Sequence, residues 1–391
     1  MLRLLGLAII VCASLRAETV VVLRFFNHSS SAGLDWIGES IAETVQDSLV
    51  SEGLLALGRE DKAEAYRRLS LRPGAELTHA SIIKVGEALD AARVVYGFYE
   101  LLPAEGGDTA SRGSLRITAR ILYMKETRQG PVFSELGALE DLAELEARLG
   151  WQTLRQLDPA SARSEEDFLK VRPPVRIDAV ENYVRGLLAA DPEQRQHLFI
   201  QAARLDGHYS RPCFQLGKNY WEKHEYKVAA GWFTRVGPFD PRYLEAQFFL
   251  GLCRYHFEDF AGARQSFQLV SQTMPLNEVF NNLGAAEVRL NDYAAASASF
   301  QKALEGDSAD PDYHFNLGYT AWRAGNYAAA VESFRAVLDR APDDQEATLM
   351  LGRSLKSESA RPGEPHMEDR VRIKTNYEEE AYRQLQAELK K

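Results

Sequence analysis

The first 158 residues alternate between two hydrophobic rhythms. Thr19–Phe26 (TVVVLRFF) is dense in β-branched and aromatic residues and predicts a buried strand. The polar run Asn27–Ser31 ends it. Trp36–Leu49 then carries Ile37, Ile41, Val45 and Leu49 four residues apart, the stripe of an amphipathic helix, with Asp35 as its expected N-cap. A short strand at Leu54–Leu57, a polar helix at Asp61–Leu69 and a helix at Ala80–Leu89 capped by Thr78 follow. Val94–Leu101 and Leu115–Met124 read as a hairpin around a Gly-rich turn at Glu105–Gly113. Phe133–Leu136 reads as a last strand and Asp141–Leu157 as a closing helix. Strands interleaved with helices and ending in a hairpin predict an α/β amino-terminal domain with a mixed sheet, over residues 18–157. Residues 158–178, rich in Pro, Ser and charge and holding Arg172-Pro173-Pro174, read as a linker.

Beyond the linker the rhythm becomes purely helical and repeats. Glycines fall at 186, 217, 251, 284, 318 and 352, spaced by 31, 34, 33, 34 and 34 residues. Phe199, Phe233, Phe267, Phe300 and Phe334 keep step, with Ala229, Ala263, Ala296 and Ala330 four residues before the last four of them. This pattern resembles the tetratricopeptide repeat (TPR), a helix–turn–helix unit that stacks into a solenoid. The expected architecture is therefore the α/β domain followed by an all-α TPR solenoid of about five repeats over residues 179–356. The Gly and Ala let the two helices of a unit approach closely, and the Phe is expected to fill the gap to the next unit. The first unit, with Arg195 at a small-residue position, reads as a capping repeat. Residues 357–391 read as a polar loop and a helix at Tyr377–Leu389 that covers the open end of the solenoid.

The register also predicts which side chains line the inner groove, because first helices face it. Positions three before, one after and four after each Gly give Phe214, Lys218 and Trp221; Phe248, Leu252 and Tyr255; Asn281, Ala285 and Val288; and Phe315, Tyr319 and Trp322. An aromatic groove poor in charge suits an extended or helical peptide with apolar anchors. The alternative is that these aromatics pack on one another or on the amino-terminal domain. TPR grooves that clamp a terminal carboxylate use Lys, Asn and Arg at such positions; only Lys218 and Asn281 fit here, so that specificity does not carry over.

Within the α/β domain, VVVLRFFNHSS followed by LDWIGESIAETVQDSL resembles the opening of TolB amino-terminal-like domains, and ARVVYGFYEL and LRITARILYMKE are similar to later strands of that family. Arg24 stands where the family often has Pro. The resemblance implies a non-catalytic module of envelope and regulatory proteins.

Composition narrows the function. A net charge of -10 argues against general nucleic-acid binding. Residues 1–17, with Arg3 before the apolar run Leu4–Ala13, read as a signal peptide, so an exported protein of the periplasm or cell envelope is expected. Cys12 has Val11 rather than a small residue before it, which argues against a lipid anchor. Cys213 and Cys253 are expected as two buried thiols. No phosphate loop, zinc-protease or nucleophile-elbow motif occurs, His28 with Ser29–Ser31 reads as a capped turn, and neither catalytic residues, a cofactor nor a metal site is expected. The resulting expectation is a non-enzymatic exported scaffold or adaptor whose TPR groove binds a protein or peptide partner, with possible peripheral envelope association. An accessory to outer-membrane or secretion-complex assembly, and a small-ligand sensor or enzyme in the α/β domain, are the competing readings.

Overall fold

The structure is a computed structural model that describes residues 19–29, 32–103, 113–160, 162–360 and 370–388. The apolar run at residues 4–13, most of the predicted Gly-rich turn, and residues 361–369 lie outside the described residues.

The predicted first strand is split. β1 (Val20–Val22) and β2 (Phe26–Asn27) both run parallel to β3 (Arg93–Leu102). Between them the chain leaves the ladder, and the Phe25 amide donates to the Gly38 carbonyl (3.1 Å). A Cβ at Gly38 would stand 2.0 Å from the Phe25 carbonyl oxygen, so only glycine permits α1 (Trp36–Ser51) to cross so close to the strand. Leu54–Leu57 makes a single parallel bridge, Val20 to Ala56, instead of the expected strand. Asp35 does not cap α1 through its side chain; its Oδ1 instead accepts from Asn27 Nδ2 (2.8 Å), which ties the β2 turn to the helix start.

α2 (Arg59–Arg68) and α3 (His79–Ala88) precede β3, which pairs antiparallel along its length with β4 (Ser114–Tyr123). β5 (Arg128–Gln129) and β6 (Phe133–Ala138) pair with the far edge of β4. Strand alternation divides the side chains between two layers. Val20, Val22, Val95, Ile117 and Ile121 face α1 and α4 (Leu142–Leu157). Val21, Leu23, Val94 and Leu122 face α3 with Ile82 and Val85.

The predicted linker contains a short helix, α5 (Glu165–Lys170), capped by Ser164 and pinned by fully buried Phe168. Helix pairs then follow in order: α6 (Ile177–Leu188) with α7 (Pro192–Leu205), α8 (Ser210–Glu222) with α9 (Tyr226–Phe233), and α10 (Tyr243–His256) with α11 (Phe260–Thr273). Next come α12 (Asn277–Arg289) with α13 (Tyr293–Gly306), α14 (Pro311–Arg323) with α15 (Tyr327–Arg340), and α16 (Gln345–Leu355). Among the described residues five first helices end beside a left-handed residue, at His224, Glu258, Asn291, Gly325 and Ser357, with φ of 59°, 68°, 61°, 78° and 53°. Asp259, Asp292 and Asn326 then cap the second helices.

The repeat spacing has a steric cause. A Cβ on Gly186, Gly217, Gly251 or Gly284 would lie 2.5–2.8 Å from the ring of Phe199, Phe233, Phe267 or Phe300 respectively. Each ring therefore lies over the glycine of its own unit, and Phe233 also stacks on Phe249 of the next unit (5.7 Å), the contact the sequence suggested. Gly318 is less tight (3.1 Å to the Phe334 ring), and a Cβ on Gly352 would meet nothing within 4 Å among the described residues. Arg195 of the atypical first unit bonds the Ala189 carbonyl (2.9 Å).

One apolar core runs from the sheet through α1, α4 and Phe168 into the first four helix pairs, and a second fills the last units. Polar groups are buried where the α/β domain meets the solenoid. Arg211 pairs with Asp47 (3.0 Å) and donates to Thr44 (3.1 Å), and Thr44 donates to Glu146 (2.8 Å). Burial pushes the Glu146 carboxyl up to about 7, against the hydrogen bond from Thr44 and the charge of Arg211.

Two outcomes are expected from urea unfolding of the full chain. Gly251→Ala lowers stability by about 1–2 kcal/mol, overpacking against Phe267 outweighing helix propensity, whereas Gly352→Ala raises it by roughly 0.5–1 kcal/mol. At the junction the folded Glu146 keeps its proton up to about 7 while its ordinary value is 4.5, so stability falls as pH rises through that window. Glu146→Gln should therefore stabilise the protein by up to about 3 kcal/mol at pH 8 and have no effect below about pH 4.

Candidate functional site

The face formed by the first helices of the solenoid holds a segment of the chain itself. Residues 370–377 cross α16, α14, α12 and α10 in that order and lead into α17 (Glu379–Glu388). The segment Arg370-Val371-Arg372-Ile373-Lys374 alternates basic and apolar side chains, the period of an extended strand.

Three fully buried asparagines hold its main chain. Asn316 Oδ1 accepts from the Arg372 N–H (2.8 Å), and Asn316 Nδ2 donates to the Arg372 carbonyl (2.8 Å). Asn281 Nδ2 donates to the same carbonyl (2.8 Å), and its own Oδ1 accepts from Asn316 (2.7 Å). Asn282 repeats the two-bond pairing at Lys374, accepting from its N–H (2.8 Å) and donating to its carbonyl (2.7 Å). The N–H and C=O of alternate residues in a strand point the same way, so two carboxamides two residues apart stand in for a neighbouring strand.

The side chains divide by chemistry. Arg372 meets Asp344 (2.8 Å), Asp312 (3.1 Å) and Glu346 (3.2 Å), and its guanidinium lies over the Phe315 ring (3.7 Å). Lys374 meets Asp312 (2.6 Å) and Asp310 (2.8 Å), and Arg370 meets Glu346 (2.8 Å). Val371 is buried with Phe315, Tyr319 and Trp322, and Ile373 packs against both cores. Tyr377 stands edge-on to Phe248 (5.2 Å) and is hydrogen-bonded to Glu245. Burial opposes ionisation of Asp344, Arg372 and Lys374, and the pairing outweighs it. Asp344 is held below the usual carboxylate range by the Arg372 and Ala347 hydrogen bonds, and Lys374 is raised by Asp310 and Asp312.

The expected groove residues fall into three groups. Asn281, Phe315 and Phe248 touch the segment directly. Tyr319 and Trp322 are buried in the second core, and Trp322 donates to the Glu358 carbonyl (2.7 Å), so neither is a free anchor. Tyr255 packs edge-on to Phe260 and against both cores. Phe214 and Leu252 are buried in the first core, Trp221 packs on Tyr226, Phe249 and His256, and Lys218 lies over the Phe249 ring (3.8 Å). Reasoning from the register missed Asn282, Asn316 and the acidic group Asp310, Asp312, Asp344 and Glu346. Asp310 and Asp344 also cap α14 and α16, so their second role is hidden behind an ordinary one.

α17 does not cover the open end of the solenoid, as the sequence suggested. Arg383 reaches Asp61 of α2 (3.7 Å), and Tyr377 and Tyr382 border a cleft with Gln46, Gly53, Arg242 and Glu245. The tail thus returns to the α/β domain, where Asp61 is the charge partner of its Arg383.

The α/β domain has a cavity of about 560 Å³ on its α2–α3 side, lined by Phe26, Leu77, Ile82 and Phe98 with Arg24, Tyr96 and Arg120. Its cations are engaged: Arg24 donates to the Asp35 carbonyl (2.6 Å) and Arg120 to Gln129 (2.6 Å). Cys213 and Cys253 are free and buried. Among the described residues no group of three His, Cys, Asp or Glu side chains is placed to hold a metal ion, and no helix is long and apolar enough to cross a membrane.

The tetratricopeptide repeat family model matches residues 214–272, 281–345 and 316–355, so the helix pairs from α8 onward are tetratricopeptide repeats. Solved structures with the same kind of array include MamA of Desulfovibrio magneticus RS-1, 21% identical over 43% of this chain and 98% of that one, with a TM-score of 0.38. YrrB, described as a TPR protein with an unusual peptide-binding site, is 20% identical over 46% of this chain and 90% of its own, with a TM-score of 0.37. No curated protein matches the chain.

The depressed Asp344 value carries a sign. Its contribution to tail docking is present above the ordinary aspartate value of 3.8 and is lost as pH falls through the lower folded value. Asp344→Asn should raise amide exchange at Arg372 and Lys374 about tenfold at pH 7, the effect of one charge-assisted bond discounted for partial exposure. The same variant and the wild type should converge as pH drops well below 3.8.

Proposed function

We propose that this protein is a non-enzymatic scaffold that binds protein partners as extended segments on the first-helix face of its repeats. The observation that carries this reading is the Asn316–Asn281–Asn282 row, which pairs with main-chain N–H and C=O groups and so suits any extended segment. The apolar amino-terminal run supports export to the periplasm or cell envelope, and the likeness of residues 18–157 to TolB amino-terminal-like domains supports a second docking role for the α/β domain. A ligand-sensing role for that domain is the second reading, favoured by its cavity of about 560 Å³, within the size range of small-molecule sites.

In pull-downs from a cell-envelope extract with a chain whose docked segment is released by Arg372→Glu/Lys374→Glu, adding Asn281→Ala/Asn282→Ala should lose most partner recovery at unchanged helical content. Recovery equal to that of the released chain removes the groove as the binding face. Fractionation of the tagged full chain should place it outside the cytoplasm, and a wholly cytoplasmic pool would overturn the export proposal.

A further inference from the structure

We infer that residues 370–377 are a built-in competitor for the groove, and that the partner which displaces them carries an extended segment alternating Arg or Lys with branched aliphatic residues, followed by an aromatic. This rests on the reading of the groove as a protein-binding face and specifies what it takes.

Two kinds of recognition coexist in the docked segment. The asparagine row reads only the main chain and accepts any strand. Selectivity must come from the side chains. Asp310, Asp312, Asp344 and Glu346 form one acidic strip met by Arg370, Arg372 and Lys374, and the Phe315 ring adds a face for a guanidinium. On the other side of the strand, Val371 and Ile373 enter apolar surface contributed by both cores. Tyr377 meets Phe248 and Glu245 one unit further on. A segment with acidic residues at the first set of positions would be repelled, and one with polar residues at the second would bury unpaired groups.

The occupant is also tethered. A covalently linked segment competes at an effective concentration of the order of 1 mM, so a free segment with an affinity of about 10 µM is weakened about 100-fold. Opening requires a partner that is better matched, or one that also draws α17 away from the α/β domain. The Arg383–Asp61 pair and the half-exposed cleft beside Tyr382 make that second contact separable from the groove.

The test uses the full chain and a fluorescein-labelled synthetic peptide of sequence RVRIKTNYEE, matching residues 370–379. Arg372→Glu/Lys374→Glu in the protein opposes its own acidic strip and should undock the tail, verified by amide exchange at residues 371–374. The opened protein should bind the peptide about 100-fold more tightly than wild type, and replacing the peptide's Val and Ile by Ser should cost at least about tenfold. Adding Asp312→Lys/Glu346→Lys to the opened protein should abolish binding of this peptide and re-dock the charge-reversed tail, read as restored amide protection at residues 371–374. Equal binding by wild type and opened protein overturns the competitor while leaving the groove reading intact. An opened protein that binds no peptide overturns the assigned partner chemistry. The groove reading itself falls only if partner recovery is also indifferent to Asn281→Ala/Asn282→Ala.

Discussion

The contact of a phenylalanine ring with a bare glycine Cα sets the geometry on which the rest depends. It fixes how closely the two helices of a unit approach, and with Ala229, Ala263, Ala296 and Ala330 fully buried it leaves little room for adjustment. Repetition of one spacing then places equivalent residues of successive units side by side. Asn282 and Asn316 stand at the same place, two before Gly284 and Gly318, Asn281 beside Asn282 accepts from Asn316 (2.7 Å), and a row of carboxamides forms where no strand exists. The asparagine row is thus a consequence of the repeat packing, and its ability to pair with a main chain follows from that spacing.

The acidic strip shows how economically the repeat ends are used. Asp310 and Asp344 satisfy the first amides of α14 and α16, with the side chains accepting from Asp312 and Ala347 respectively. The same carboxylates face the groove and meet Lys374 and Arg372. A residue placed for helix initiation therefore also sets the charge of the binding face, and the second role is the more demanding. Capping is satisfied by Asp, Asn, Ser or Thr alike, whereas pairing with a basic segment requires the charge.

Much of this architecture was legible in the sequence because its causes are local or periodic. The glycine and phenylalanine series follows from sterics repeated at a fixed interval, and the strands of the α/β domain follow from buried β-branched runs. What escaped were features made by distant pairings. Leu54–Leu57 has the composition of a strand but finds room for one bridge beside Val20. Asp35 looks like a cap yet is claimed by Asn27. The extended segment at residues 370–374 pairs with side chains on helices, so no neighbouring strand announces it, and five alternating residues in a polar stretch are too few to stand out. Phe214, Trp221, Leu252, Tyr319 and Trp322 share the groove register with Asn281 and Phe315, but neighbouring side chains enclose them within or against the two cores. The register locates a face; the depth at which each side chain sits on it depends on neighbours the period does not encode.

The returning tail also changes what kind of object the solenoid is. An array whose units touch only their neighbours behaves as a one-dimensional chain of coupled elements, able to fray from either end. Here bonds spanning 56, 92 and 100 residues join α14 and α12 to the chain's last segment, and Arg383 carries that segment back to the α/β domain. The array is closed on itself, so disturbance of the last unit is felt at the first domain without passing through the units between. Release of one short strand converts a ring of mutual support into a linear stack with a free end.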